Sequence, residues 1–253
     1  MKNILITGAN SDLGKSLIEK FSKFPANKIL AVSRGKVKNQ IGNVDYLDSI
    51  DLDKEEDLEK LAERVNDTFF EKFIFIHSVG NFWYHKSIQK TSFSEATKMM
   101  DSHYNTLYGT IQCLMPIFRK NNGGRIIAFS CNSVGYSYPE MAAFTSAKAA
   151  VETLIRCVAN ENSKYGVVAN AIALSTINTE KVVECQKDSK YHKDYITTDE
   201  LIEVVQDLTN ASPLINGNII KVLKYSEFFY NEGYFQRNPS CEHSDSEVEM
   251  PSR

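Results

Sequence analysis

The segment Phe144-Thr145-Ser146-Ala147-Lys148 combines an aromatic ring and an ammonium group at a spacing of four residues. Side chains four apart on a helix lie on the same face, so the two groups should point at one place. A tyrosine in the first position would have its pKa lowered by the ammonium and could pass a proton to a carbonyl oxygen. Phe144 has no hydroxyl, so the pair keeps the charge of Lys148 without that proton donor.

A second chemical feature is the turn Thr7-Gly8-Ala9-Asn10-Ser11-Asp12-Leu13-Gly14, between the first predicted strand and the first predicted helix. A glycine turn in this place lets backbone N–H groups approach a pyrophosphate at the N-terminus of a helix. Asp12 adds a carboxylate near such a phosphate, and a plain strand–helix turn without a ligand is the alternative. The residues that we expect to bind a dinucleotide here are Gly8, Asn10, Ser11, Leu13 and Gly14.

The second predicted strand ends in Ser33-Arg34, where a cofactor with a free ribose 2′-hydroxyl would favour an acidic residue. Ser33 and Arg34 suit a 2′-phosphate better, and Lys15 and Lys36 could assist them. The charge pattern therefore favours NADP(H) over NAD(H). The alternative is that Arg34 is an ordinary solvated surface residue.

Helix-forming and strand-forming segments alternate along the chain, which predicts a parallel sheet with helices on both faces. A predicted N-terminal cap, Asp53 with Glu56, precedes the second helix. The segment from Phe93 to Lys120 has a helical pattern, and 237–253 is predicted to be a disordered polar tail. The predicted strands are 3–7, 28–33, 44–47, 73–76, 125–129, 167–172 and 218–223, and the clearest helices are 12–24, 53–69, 140–164 and 198–208.

The composition is that of an ordinary globular chain: 253 residues, 42% hydrophobic and 24% charged, with a net charge of −3. This charge gives no reason to expect a nucleic-acid partner, and no apolar run approaches the length of a membrane span. The five cysteines are odd in number and lack metal-type spacing, which favours reduced thiols in a cytoplasmic protein without a bound metal.

From about residue 3 to 225 the sequence resembles the short-chain dehydrogenase/reductase family, which has Tyr-x-x-x-Lys where this chain has Phe144 and Lys148. The resemblance implies a single doubly wound Rossmann-type domain over residues 1–236. The sheet should be mostly parallel, with about seven strands in the order 3-2-1-4-5-6-7. It also implies a homodimer or homotetramer, with helices near 100–120 and 140–164 at the interface.

The resemblance assigns further cofactor contacts. His77-Ser78-Val79-Gly80 stands where the family has Asn-Asn-Ala-Gly, and the segment after Asn170-Ala171 lacks the usual Pro-Gly. Asp51 and Leu52 fall beside the expected adenine, although Asp51 could simply start the next helix. The residues that the resemblance places around the cofactor, besides the glycine turn, are Ser33, Arg34, Asp51, Leu52, Ser78, Gly80, Lys148 on the ribose and Thr179 on the carboxamide.

On the catalytic side, Asn105 matches the family asparagine that holds a water in the proton relay. Cys131 lies thirteen residues before Phe144, at the position of the serine that orients the carbonyl. A thiol is a weak hydrogen-bond donor, so Ser130 and Ser133 are alternatives, although alternation along the strand should point Ser130 away. Cys131 as a covalent nucleophile is a further alternative.

A replacement for the missing phenol could come from Tyr104, Tyr136 or Tyr138. Phe82-Trp83-Tyr84-His85 could line a substrate pocket or pack in an interface. The resulting hypothesis is an NADP(H)-dependent oxidoreductase that acts on a small carbonyl or alcohol with a relocated proton donor. The alternative is a catalytically inactive nucleotide-binding or regulatory protein on the same fold.

Overall fold

The computed structural model describes residues 1–81, 86–185 and 192–224. The aromatic segment at 82–85 and the predicted tail at 237–253 lie outside these residues.

The architecture is a seven-stranded sheet in which every neighbouring pair of strands is parallel. Its order, β3-β2-β1-β4-β5-β6-β9, confirms the predicted 3-2-1-4-5-6-7. A small ladder of β7 and β8 is separate. The strands are β1 (Asn3–Thr7), β2 (Lys28–Val32), β3 (Asp45–Leu47), β4 (Phe73–His77), β5 (Gly124–Cys131), β6 (Val167–Leu174), β7 (Ile177–Asn178), β8 (Ile196–Thr197) and β9 (Ile219–Val222).

Helices cover both faces of the sheet, as predicted. One apolar layer holds residues of α2, α4 and α6, and the other holds residues of α1 and α8. The helices are α1 (Asp12–Ser22), α2 (Glu55–Thr68), α3 (Phe93–Met100), α4 (Thr106–Lys120), α5 (Ser133–Tyr136), α6 (Ala142–Asn162), α7 (Glu180–Cys185) and α8 (Thr198–Asn210). None of the described helices has both the length and the apolar character needed to cross a membrane.

Burial on both faces explains the sequence of the central strands. Each residue of β4, Phe73–His77, and of β6, Val167–Leu174, is buried. Helix-covered parallel strands therefore read as continuous apolar runs rather than as alternating ones.

The structure corrects two local predictions. The predicted cap of α2 is wrong, because the residue before this helix is Lys54 and it makes no side-chain capping bond. The helical segment predicted from Phe93 is interrupted by a π-helical turn at Asp101–Asn105.

Parallel strands bring their carboxyl ends to one edge of the sheet. Thr7, His77, Cys131 and Leu174 end β1, β4, β5 and β6 there. Open parallel sheets bind ligands outside this edge, so the predicted site residues need to be traced there.

Candidate active site

The glycine turn joins β1 to α1 through a compact backbone arrangement. Gly8 has a φ of +83°, and a β-carbon there would lie 2.8 Å from the carbonyl oxygen of Ser78. Ser11 caps α1, since its hydroxyl oxygen accepts from the Gly14 amide at 2.9 Å and donates to the Gly8 carbonyl at 2.8 Å. The turn thus presents the start of an eleven-residue helix at the ligand-binding edge.

The residues beside this turn differ in how available their side chains are. The amide of Asn10 donates to the Gly35 carbonyl at 3.0 Å, which ties the turn to the end of β2. Ser33 is buried, and its hydroxyl lies 3.0 Å from a carboxylate oxygen of Asp48. Arg34 is exposed, so the guanidinium rather than the Ser33 hydroxyl is available to a ligand in solvent.

The predicted adenine side is formed by Asp51 and Leu52. Leu52 is buried in the core, and the backbone N–H of Asp51 donates to the Asp57 carboxylate at 3.0 Å. Helix α2 begins at Glu55, so Asp51 lies ahead of it rather than in its first turn. The pKa of the neighbouring Asp53 is raised by burial and then by the negative charge of Asp51.

A buried hydrogen-bonded chain connects β1, β4 and α4. The Thr7 hydroxyl lies 2.9 Å from Nδ1 of His77, and Nε2 of the same ring lies 3.4 Å from the Thr106 hydroxyl. The Ser78 hydroxyl donates to the Thr7 carbonyl at 2.6 Å. Burial, followed by the positive charge of Lys148, lowers the pKa of His77 to about 3. The imidazole is therefore neutral and serves as a fixed link between strands and helix.

The π-helical turn places His103, rather than Asn105, against Phe144. The two rings meet edge to face with centroids 5.3 Å apart, and His103 is buried. Its Nε2 donates to the Asn81 carbonyl at 3.1 Å, which leaves Nδ1 as an acceptor without a partner among the described residues. Asn105 is exposed, and its amide donates to the Asp101 carboxylate at 2.7 Å.

Lys148 is buried at the candidate site, on the same face of α6 as Phe144. Its ammonium donates to the Phe129 carbonyl at 2.9 Å and lies 5.6 Å from the centroid of the Phe144 ring. Burial lowers the pKa of Lys148 to about 8, and the nearby Cys131 opposes this shift. The structure thus brings Lys148, Phe144 and Cys131 together, as their positions in the sequence predict.

The residues at the end of β5 point in different directions. The Ser130 hydroxyl donates to the buried carboxylate of Glu152 at 2.8 Å. The Cys131 sulfur is half-buried and accepts from the Ser133 N–H at 3.5 Å. The Ser133 hydroxyl is fully buried and accepts from the Thr145 hydroxyl at 3.1 Å. Ser130 and Ser133 are thus both engaged inside the fold.

Two of the candidate phenols form a stacked pair beside the site. The rings of Tyr136 and Tyr138 lie 5.6 Å apart with an interplanar angle of 5°. The hydroxyl oxygen of Tyr138 lies 3.5 Å from the Asn132 amide, and burial followed by Tyr136 and Cys131 raises the pKa of Tyr138 to about 12. Tyr104 packs on Tyr108, with ring centroids 5.9 Å apart.

The comparisons with known proteins agree with this arrangement. The sequence profile of a family described as short chain dehydrogenase matches residues 2–190. The chain belongs to this family. An uncharacterized oxidoreductase of Listeria monocytogenes, Lmo0432, is 25% identical to this short-chain dehydrogenase over 234 residues, which cover 86% of the chain and 94% of the relative.

Two solved structures show the same fold. A tyrosine-to-phenylalanine variant of ElxO with NADPH bound has a TM-score of 0.79 at 21% identity, over 87% of this chain and 96% of that one. A 3-ketoacyl-(acyl-carrier-protein) reductase from Brucella melitensis complexed with NADH has a TM-score of 0.76 at 20% identity, with the same coverage.

In this short-chain dehydrogenase, a buried hydroxyl without a partner among the described residues follows the end of β6. Ser175 is buried, and its hydroxyl has no partner among the described residues. Thr179, the residue expected at the carboxamide, accepts from the Val182 N–H at 3.4 Å through its hydroxyl oxygen, at the start of α7. An orphaned hydroxyl at this edge fits a site that is completed by a polar ligand.

Sequence reasoning missed His103 and Ser175. Asn105 is the asparagine that fits the family pattern, and nothing in the sequence reveals that a π-helical turn rotates His103 inward. The absence of Pro-Gly after β6 was visible in the sequence, and it was the only signal that Ser175 could take part in the site.

Proposed function

We propose that this short-chain dehydrogenase uses NADP(H) and interconverts a carbonyl substrate and its alcohol. The observation that supports this most directly is the shared sheet edge, where the Ser11-capped glycine turn and the buried ammonium of Lys148 both lie. When bound, the nicotinamide accepts or supplies a hydride.

The phosphate and adenosine end would be held by the turn after β1. Backbone N–H groups at the start of α1 face this edge, and Asn10 fixes the turn against the loop after β2. Exposed Arg34 and Lys36 supply positive charge beside that loop, which favours a ribose 2′-phosphate. This charge supports NADP(H) over NAD(H).

The nicotinamide end would be held by Lys148 and Ser175. Lys148 uses one N–H on the Phe129 carbonyl, and an ammonium has two more N–H groups, at least one of which is available to a ribose hydroxyl. The orphaned Ser175 hydroxyl suits an amide group, since it can both donate and accept. Thr179 stays a predicted contact from the neighbouring helix.

The substrate proton has to come from a group other than residue 144. Phe144 supplies an apolar wall and lies between His103 and Lys148. The side-chain amide of Asn105 donates to Asp101, and its water-holding role stays a prediction. A carbonyl substrate would approach along the half-buried thiol of Cys131.

Cofactor titration tests this proposal. The purified protein should enhance the fluorescence of NADPH with a micromolar dissociation constant and bind NADH more weakly. Bound NADPH should then be consumed when aliphatic and aromatic aldehydes and ketones are added. Binding of neither cofactor would refute the oxidoreductase proposal.

A further inference from the structure

Resting on the proposed function, we propose that the ammonium of Lys148 is itself the proton donor that replaces the missing hydroxyl of residue 144. Lys148 then acts directly on the reacting oxygen, in addition to binding the ribose.

The ammonium lies beside the ring that stands where the family has its proton-donating tyrosine. Lys148 lies one helical turn after Phe144, and its nitrogen is 5.6 Å from the centroid of that ring. It is buried and anchored by a 2.9 Å hydrogen bond to the Phe129 carbonyl. The two remaining N–H groups leave one for a ribose hydroxyl and one for a substrate oxygen.

The two described histidines near Lys148 lack an available proton. Nε2 of His103 must be the protonated nitrogen, because the Asn81 carbonyl can only accept, and its neutral ring therefore has only an acceptor left. The Thr106 hydroxyl donates to the Ser102 carbonyl at 3.1 Å, so Nε2–H of His77 donates to Thr106. Both imidazoles have pKa values well below their usual range because of burial and the charge of Lys148.

The described phenols and the thiol are weaker candidates. Tyr138 has a pKa raised to about 12, chiefly by burial, so it gives up its proton less readily than a free phenol. Tyr136 is exposed and stacks on Tyr138. Cys131 carries a thiol, which is a weak hydrogen-bond donor. Lys148 is the described group that combines a strong N–H donor with a position beside the Phe144 ring.

The surroundings of Lys148 adjust its acidity. His77 on β4 and His103 on the π-helical turn face it and are neutral, and Cys131 faces it from β5. Glu152, one turn further along α6, is occupied by Ser130 and Arg156. Burial thus lowers the pKa of Lys148 to about 8, and a general acid is most effective when its pKa lies near the working pH.

The proposed step is balanced. When bound, NADPH would supply the hydride that forms the new C–H bond at the carbonyl carbon, and an N–H bond of Lys148 would break in the same step. The proton passes to the carbonyl oxygen, which yields the alcohol, NADP⁺ and a neutral amine. The amine regains a proton from solvent before the next turnover. In the oxidation direction the neutral amine accepts the proton of the alcohol.

Lys148→Arg is the informative substitution. Arginine keeps the charge and can donate to the Phe129 carbonyl, but it does not lose its proton in proteins. We expect NADPH affinity within about threefold of the wild type and a kcat lowered roughly 10²-fold or more. The kcat of the wild type at saturating NADPH should fall above pH 8. Adding Phe144→Tyr to the Lys148→Arg variant should restore turnover.

A second measurement does not depend on turnover. The rate at which acetic anhydride acetylates Lys148, measured by mass spectrometry across pH, should titrate with a pKa near 8. Exposed Lys72 provides the reference for the acetylation rate of a lysine in solvent.

The outcomes separate the two proposals. If neither the wild type nor Lys148→Arg binds NADPH, the proposed function and the proton-donor role both fail. If Lys148→Arg binds NADPH and retains more than about a tenth of the wild-type kcat, only the proton-donor role fails. Such a loss is smaller than the contribution that general acid catalysis normally makes. A wild type that binds NADPH but reduces no carbonyl, with or without Phe144→Tyr, also overturns that role.

Discussion

The imidazole of His103 occupies the space that a β-carbon on Gly80 would need. Such a carbon would lie too close to both Cε1 and Nδ1 of the buried ring. The glycine after β4 therefore makes room for the side chain that contacts Phe144 from the π-helical turn. The shape of the site depends on this pair as much as on the residues that would touch a ligand.

The first prediction concerns that contact. Gly80→Ala should lower the free energy of unfolding by about 1–3 kcal/mol, because the ring and the backbone have to move apart. Urea denaturation measures the change. Gly42→Ala is the matched control, since a β-carbon there meets no atom within 4 Å. Equal stabilities of the two variants would show that the ring relaxes without cost.

The second prediction concerns the missing hydroxyl. Phe144→Tyr should raise the kcat of carbonyl reduction roughly 10- to 100-fold, because a phenol next to Lys148 adds a second proton donor. Steady-state kinetics at saturating NADPH measures this gain. Phe93→Tyr adds the same hydroxyl to a ring that is 89% exposed and should leave kcat unchanged. Unchanged turnover with intact NADPH binding would favour a scaffold used for binding.

The third prediction concerns cofactor choice. Arg34→Ala should weaken NADPH binding about tenfold, because one charge-assisted contact is lost. The same substitution should change NADH binding less than twofold. Fluorescence titration measures both affinities. Lys72→Ala removes an exposed charge just before β4, at the opposite edge of the sheet, and should change neither. A parallel loss for both cofactors would mean that Arg34 does not contact the 2′-phosphate.

The fourth prediction follows from the buried His77. Its pKa is 6.5 in the unfolded chain and about 3 in the fold, so the unfolded chain binds the extra proton between these values. The contribution of His77 to the free energy of unfolding is therefore fully present above pH 6.5 and is lost as the pH falls towards 3. At pH 5 the loss from His77 is about 2 kcal/mol. His103 acts in the same direction.

Urea unfolding at pH 7.5 and pH 5 tests this linkage in wild type and in His77→Asn. Asparagine can keep hydrogen bonds to its neighbours and does not titrate in this range. The variant should lose less stability than the wild type over that interval, by about 2 kcal/mol. Equal losses would mean that His77 is protonated in the folded protein at pH 5.

Much of the fold could be predicted because its signals are local and repeated. Continuous apolar runs such as 73–76 identify strands that are buried on both faces. The glycine turn after β1 and the spacing of Phe144 and Lys148 are also local patterns, and the structure places both at one edge of the sheet.

The remaining features depend on tertiary packing. A π-helical turn adds one residue to a helical turn, and this shifts which side chains point inward. Counting from Phe93 in α-helical steps therefore cannot identify His103. The pairing of β7 with β8 is likewise a contact between segments that are distant in the chain.

The bond from Lys148 to the Phe129 carbonyl has a consequence for how genomes are interpreted. This lysine ties α6 to the central strand β5, whatever happens to the substrate. It would thus be retained by a descendant that had abandoned catalysis, because the fold itself uses it. A search that takes this lysine as the mark of an active enzyme would misclassify such a protein, whereas one that asks which proton donor lies within reach of the substrate would not.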